Sequence, residues 1–371
     1  MTSLELFFDL VFVLAVTQCT AAMAHDPSWT GMLEALAVLG VLWWSWGGYA
    51  WLTSALEPDE GAVRLVMFGA MAAALVASLC VTEAFGDHGV AFAVAYGALR
   101  AAHLALFVVA GRDAPLLRRS VGSLAVSSAI ALALLLAAGF TDGWVQGALW
   151  IVAIVGDVGG PYLFGAEGWQ IVAEHFAERF GLFVIIALGE SVVAIGVGAE
   201  DHVDAGVVVA AVLGMAILAA LWWLYFDLTA LIATDRLVAL PPGRAQNELA
   251  RDGWALLHFP MVAGIVLVAF GLERTLAHVD EPLHAIPATA LLGGAALYLL
   301  AHVAFRLRVV GTLNVERLLA GLVLVALIAP AARLDAVVGA LVVAAACWAV
   351  VGFEVRHFAE LRQQVRHAPE R

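Results

Sequence analysis

HFAERFGLFVIIALGESVVAIGVG, from His175 to Gly198, decides how this chain is read. It is an apolar run of helix length that opens on a charged cluster: Glu174, His175, Glu178 and Arg179. A further carboxylate, Glu190, lies about twelve residues in, hence roughly 18 Å along a helix and near the middle of a ~30 Å hydrocarbon core. At that depth a carboxylate is tolerated only when it is paired, hydrated or protonated. Its neighbours Gly189, Ser191, Gly196 and Gly198 suit close helix approach, or backbone access for water and ions.

The rest of the chain matches that opening. Of 371 residues 63% are apolar and 13% charged, with a mean hydropathy of +0.96. Those values exclude an ordinary soluble domain and predict an all-α, polytopic membrane protein. The three cysteines, Cys19, Cys80 and Cys347, all fall inside apolar runs, so no disulfide framework is implied. All eighteen basic residues are arginines, and the net charge is −13.

Hydropathy predicts twelve spans, at about 4–24, 31–54, 64–84, 90–110, 119–139, 145–164, 176–198, 206–233, 254–276, 287–307, 314–332 and 336–356. Ala22-Met23-Ala24 resembles a signal cleavage site. However, the preceding region holds Glu5 and no basic residue, and Asp9 interrupts its apolar core, so an uncleaved helix is expected. Threading the spans puts fifteen arginines on the side of the N-terminus: Arg64, Arg112, Arg118, Arg119, Arg179, Arg236, Arg244, Arg251, Arg306, Arg308, Arg317, Arg356, Arg362, Arg366 and Arg371. Only Arg274 and Arg333 fall opposite, and Arg100 lies within a span. The positive-inside rule then puts both termini in the cytoplasm, with the chain in a bacterial inner membrane.

The chain also repeats itself. LELFFDLVFVLAVTQ from Leu4 is similar to AERFGLFVIIALGES from Ala177, with Glu5 matching Glu178 at an offset of 173. Trp43-Trp44-Ser45-Trp46 has its echo in Trp222-Trp223-Leu224-Tyr225. Six spans per half is an even number, which predicts parallel repeats, residues 1–170 and 171–371, the second with a short cytoplasmic tail.

ELFFDLVFVLAVTQ at Glu5–Gln18, HFAERFGLFVIIALGES at His175–Ser191 and WWLYFD at Trp222–Asp227 resemble the bacterial low temperature requirement protein A (LtrA) family over essentially the whole chain. The resemblance implies a polytopic inner-membrane protein and no defined chemistry. More distantly, Phe7-Phe8-Asp9 is similar to the Phe-Ser-Asp motif of the endolysosomal potassium channels built from paired six-helix repeats. Here Phe8 replaces the serine, and the second half reads Phe180-Gly181-Leu182 with no aspartate.

Several polar residues stand out against the apolar background. Glu5 and Asp9 are four apart at a helix start, on one face, where the helix dipole favours negative charge. Glu178 with His175 forms a His-x-x-Glu pair, either an interfacial hydrogen-bond cluster or half of a metal site. Arg100, about ten residues into the fourth span, is the expected buried cation for Glu190, with His103 nearly one turn further on the same face. Asp157 is followed by Gly159-Gly160-Pro161, where the sixth helix is expected to break. Asp227 closes WWLYFD, His302 is buried in the tenth span, and His258 with Pro260 opens the ninth. The outward loops carry acids and histidines: His25-Asp26, Asp87-His88, Glu200-Asp201-His202 with Asp204, and His278 through His284.

No P-loop, GxGxxG after a strand, Ser-His-Asp arrangement or zincin helix is present, nothing points to nucleic acid, and neither a metal nor a cofactor is assigned. A buried arginine with acids at similar depth is what proton- or ion-coupled sites use, and also what a structural ion-pair network looks like. The leading expectation is a transporter or channel for protons or a monovalent cation. Glu190, Arg100 and Asp157 would lie at its centre where the halves meet, with Glu5 and Asp9 at the cytoplasmic entry. The alternatives are a membrane-embedded enzyme acting on lipids or isoprenoids through Glu5, Asp9, His175 and Glu178, or a non-catalytic scaffold. The expected surroundings are the lipid bilayer, with a homodimer left open; Gly143-x-x-x-Gly147 is a helix-contact pattern that decides nothing about dimers.

Overall fold

A computed structural model describes residues 1–55, 61–164, 168–199 and 203–366. Glu200-Asp201-His202 and Arg371 lie outside the described residues. The described chain is all helix: α1 (Ser3–His25), α2 (Trp29–Ala55), α3 (Gly61–Leu79), α4 (Gly89–Ala110), α5 (Pro115–Ala138), α6 (Gly143–Phe164), α7 (Ala173–Gly198) and α8 (Ala205–Phe226) come first. They are followed by α9 (Thr229–Val238), α10 (Arg244–Ala250), α11 (His258–Ala277), α12 (Ala285–Ala288), α13 (Gly294–Val310), α14 (Val315–Ala331), α15 (Ala336–His357) and α16 (Ala359–Arg366). Among the described residues, 11 helical segments are long and apolar enough to cross a membrane. Ten match predicted spans closely; the ninth predicted span begins ten residues earlier, at Arg244. The predicted span at 314–332 forms α14, a shorter helix of 17 residues at the lower end of the length that crosses a bilayer.

The helices invert the usual soluble pattern. Large apolar side chains such as Leu10, Leu65, Val155 and Val212 are more than 60% exposed, the natural face towards lipid, while the buried set includes Glu5, Asp9, Arg100, Asp157, Arg179 and Glu190. The chain divides into two compact units: Met1–Arg179 with Leu240–Arg251, and Phe180–Ala239 with Asp252–Arg371. In the first, α1 packs on α2 and α3, the helices from α3 to α6 pack in succession, and α2 lies on α4 and α6. In the second, α8 packs on α11 and α15, and α11, α13, α14 and α15 pack in succession.

Glycines set the closest crossings. A Cβ added at Gly264 of α11 would stand 2.6 Å from the Gly294 carbonyl oxygen of α13, and one at Gly294 would stand 2.7 Å from the Gly264 carbonyl. No side chain larger than hydrogen fits on either side, so the two backbones meet there.

Two local outcomes differ from the sequence reading. The α6 helix does not break at Gly159-Gly160-Pro161; it runs on through Pro161 to Phe164. Gly160 serves packing instead, because a Cβ there would meet Ser127 Oγ of α5 at 2.7 Å. The expected continuous span at 206–233 is interrupted after Phe226, before α9 resumes at Thr229. The Leu224 carbonyl leaves the helical ladder to accept Thr229 Oγ1 at 2.8 Å and Arg317 Nη2 at 3.0 Å, which satisfies it without the next turn.

Candidate functional site: two buried ion pairs in the N-terminal unit

The first cluster starts at residue 2. Thr2 caps α1 by accepting from Glu5 N, and the Glu5 carboxylate takes Thr2 N in return at 2.9 Å, a capping box that fixes the Glu5 side chain. One turn further on, the same face of α1 presents Asp9. Its Oδ1 accepts the Trp46 indole N–H from α2 at 2.7 Å and Arg179 Nη2 from α7 at 2.6 Å. Arg179 is fully buried. It donates as well to Thr53 Oγ1 at 2.8 Å and to the Tyr49 carbonyl at 3.3 Å, and stands over the Trp46 ring at 5.6 Å. His175, one turn before Arg179, meets the Glu5 carboxylate at 3.1 Å. Glu178 points elsewhere: its side chain is 59% exposed and lies 3.9 Å from the N-terminal amine. His175 and Glu178 thus serve different partners.

The second cluster lies deeper. Arg100 is ~17 Å along α4 and Asp157 ~21 Å along α6 at 1.5 Å per residue. Both are 3% exposed, and their charged groups are 3.2 Å apart. Ser128 of α5 donates to Asp157 Oδ1 at 2.9 Å and accepts from Arg100, while Tyr96 of α4 donates to Asp157 Oδ2 at 3.2 Å. A small cavity of about 10 Å³ abuts this carboxylate and is lined by Tyr96, Asp157, Trp44 and Ala131 among others; it has room for about one water.

Helix α2 joins the clusters. The Tyr49 hydroxyl donates to the Leu99 carbonyl at 2.8 Å, and its ring stands 5.0 Å from that of His103. Gly48, one residue earlier, faces the other cluster: a Cβ there would be 2.8 Å from His103 Cε1 and 3.4 Å from Arg100 Nη1. Only glycine lets α2 come this close to Arg100 and His103. Four polar groups around this seam make no hydrogen bond of normal geometry although buried: Asp9 Oδ2, Ser45 Oγ, Arg100 Nε and the ring nitrogens of His103. Buried polar atoms normally find partners, so a run of unsatisfied ones marks ground suited to water or an ion.

The sequence-selected residues thus fall into distinct groups. Glu5, Asp9, Arg100, His103 and Asp157 share the N-terminal unit, and Arg100 has Asp157 as its counter-ion. Glu190 belongs to the other unit, 2% exposed and within electrostatic range of Glu273 on α11. Of the glycines around it, Gly198 packs closely on Leu276, whereas Gly189 and Gly196 face open space. Asp227 pairs with Arg362 of α16, Nε donating to Oδ2 at 2.8 Å.

Two arginines were missed as site residues. Arg179 counts as a loop-side cation in the topology, yet it anchors the first cluster. Its signal was its position four residues after His175, on one helix face inside an apolar run. Arg317 likewise is buried, its Nε and Nη2 donating to the Glu354 carboxylate at 2.7 and 2.8 Å, and Asn314 Nδ2 donates to the same carboxylate at 3.1 Å.

A family model described as bacterial low temperature requirement A protein (LtrA) matches residues 1–352. The chain is similar to an uncharacterized protein of Rhizobium meliloti (strain 1021), 32% identical over 307 residues, which are 80% of this chain and 74% of that protein. No solved structure matches the chain.

Proposed function

The chain belongs to the bacterial low temperature requirement A (LtrA) family, and we propose that it works as a proton- or cation-linked transporter or channel with its buried carboxylates and arginines in the N-terminal unit. The observation that supports this is the pair of ion pairs on either side of α2. Asp9–Arg179 and Asp157–Arg100 are both withdrawn from the surface, and the groups between them are titratable or unsatisfied. A bundle that needed only to pack would do as well with apolar residues at these positions, because a buried ion pair adds little net stability over a hydrophobic replacement. Charges kept at membrane depth are more often kept for what moves past them.

In this reading a proton or monovalent cation enters at Glu5 and His175, passes Asp9 and Arg179, and reaches Asp157 by way of Tyr49 and His103. The surroundings are those of an inner-membrane protein with both termini in the cytoplasm, the arrangement that the arginine asymmetry favours. The two halves of the sequence, residues 1–170 and 171–371, would be parallel six-helix repeats.

The test is flux in proteoliposomes holding a pH- or cation-sensitive dye. Asp157→Asn removes the charge at the deep site. Arg100→Met combined with Asp157→Leu removes both charges and strands neither. The expected result is loss of flux in both, with the double variant still eluting as a folded species. Wild-type flux in the folded double variant would take this site out of any transport pathway and leave the ion pair a structural role.

A further inference from the structure

The second unit contains two buried histidines that the ion-pair site does not use. His258 opens α11 and His302 lies in α13; they are 0% and 1% exposed. In each ring Nδ1 lies against a backbone carbonyl, Gly253 O at 3.0 Å for His258 and Tyr298 O at 2.8 Å for His302. A carbonyl can only accept, so both Nδ1 atoms carry the hydrogen, and in the neutral rings both Nε2 atoms are bare lone pairs.

The two lone pairs differ in what they meet. His258 Nε2 takes the hydroxyl hydrogen of Tyr225 at 2.8 Å. His302 Nε2 makes no hydrogen bond. Its aromatic neighbours have none to give: the Tyr225 hydrogen goes to His258, and the Tyr298 hydroxyl donates to the Leu221 carbonyl at 2.6 Å. Yet the rings of Tyr298 and Tyr225 stand only 4.3 and 6.0 Å from that of His302. A strong acceptor is thus held, with its tautomer fixed, beside two tyrosine hydroxyls that are both committed elsewhere.

A tyrosine–histidine ring pair is also found in the first unit. Tyr49 and His103, on its second and fourth helices, have rings 5.0 Å apart, and Phe8 of the first helix lies against Tyr49 at 4.6 Å. In the second unit Tyr225 is on α8 and His302 on α13. Gly181 of α7, 173 residues after Phe8, lies against Tyr225: a Cβ there would be 3.8 Å from the tyrosine ring. In both units a tyrosine hydroxyl ties the same two helices through a backbone carbonyl, Tyr49 to Leu99 and Tyr298 to Leu221. The charge differs. One turn before His103 stands Arg100 with Asp157, whereas one turn before His302 stand Tyr298 and Leu299.

We infer that the second unit holds its own buried site for water and the proton it carries, with His302 Nε2 as the acceptor and the Tyr225–His258 pair beside it. It is a second tyrosine–histidine seam, and the charge within electrostatic range of it is the buried Arg317, which is paired with Glu354. A hydronium that donates there leaves water behind and an imidazolium at His302, with no other bond made or broken. The site stands on the geometry of the second unit and does not require the first to transport anything.

Full-length protein with ¹⁵N-labelled histidine, in lipid nanodiscs, tests this by solid-state NMR. Magnetisation transferred from water protons should reach the His302 ring and not the His258 ring, and both should show the neutral tautomer protonated at Nδ1. His302→Gln assigns the signal by its loss. If that variant fails to fold, Tyr225→Phe assigns it instead: freeing His258 Nε2 should shift the His258 signal and leave the His302 water contact in place. A His302 ring that receives no transfer from water, or one protonated at Nε2, would overturn the inference. Neither result bears on flux through the Asp157 site.

Discussion

Replacing Asp157 by asparagine keeps the shape of the side chain and removes the charge that Arg100 faces. Two effects compete in the outcome. The carboxylate accepts from Tyr96 at 3.2 Å, Arg100 at 3.2 Å and Ser128 at 2.9 Å. Interhelical hydrogen bonds in membrane bundles average about 0.6 kcal/mol, so weakening these accounts for about 2 kcal/mol. Stranding a buried charge costs more, about 3–5 kcal/mol. With Arg100 3% exposed the second effect wins, and Asp157→Asn is expected to destabilise by about 3–5 kcal/mol. Arg100→Met, which strands Asp157 instead, should fall in the same range. Combined with Asp157→Leu it should cost far less than the two single losses together, a coupling of about 2 kcal/mol or more. Reversible unfolding of the wild type, Arg100→Met, Asp157→Leu and the double variant in mixed micelles, followed by circular dichroism, measures the cycle. Singles and double that add to within about 0.5 kcal/mol would refute the reasoning, because they would show that neither charge depends on the other.

Trp46→Phe keeps the ring over Arg179 and removes the N–H that reaches Asp9 at 2.7 Å; a loss of about 1.5–3 kcal/mol is expected in the same unfolding assay, since the acceptor is charged. Gly264→Ala puts a methyl 2.6 Å from the Gly294 carbonyl and should cost about 1–3 kcal/mol by prising α11 from α13. Gly69→Ala, with nothing within 4 Å of its Cβ in the middle of α3, is the control and should not destabilise, since alanine is favoured over glycine there by about 0.5–1 kcal/mol.

The helices were legible in the sequence because hydropathy over a window is a local property, and a membrane demands it locally. The depth of Arg100 and Asp157 was legible for the same reason, as counting residues along a helix gives height. Partners were not legible. Height does not say which helix stands next to which, so Arg100 was expected to pair with Glu190, whereas its counter-ion is Asp157. Arg179 and Arg317 were hidden by a related limit. Each sits within the first turns of its helix, where an arginine facing water and one turned inward read alike; only the neighbouring Asp9 and Glu354 tell them apart. Gly159-Gly160-Pro161 misled in the opposite sense. Its residues are those of a helix break, but here the glycine makes room for Ser127 and the proline falls in the last turn.

The short helix α14 has a consequence for the surrounding lipid. Seventeen residues rise about 25 Å, some 5 Å less than a typical hydrocarbon core. Its outer side, with Leu319, Leu322 and Val323 about half exposed, is where acyl chains would lie against it. Lipids bordering that side must tilt or shorten to meet it, so the protein would dimple the bilayer at this edge and favour a thin membrane over a thick one.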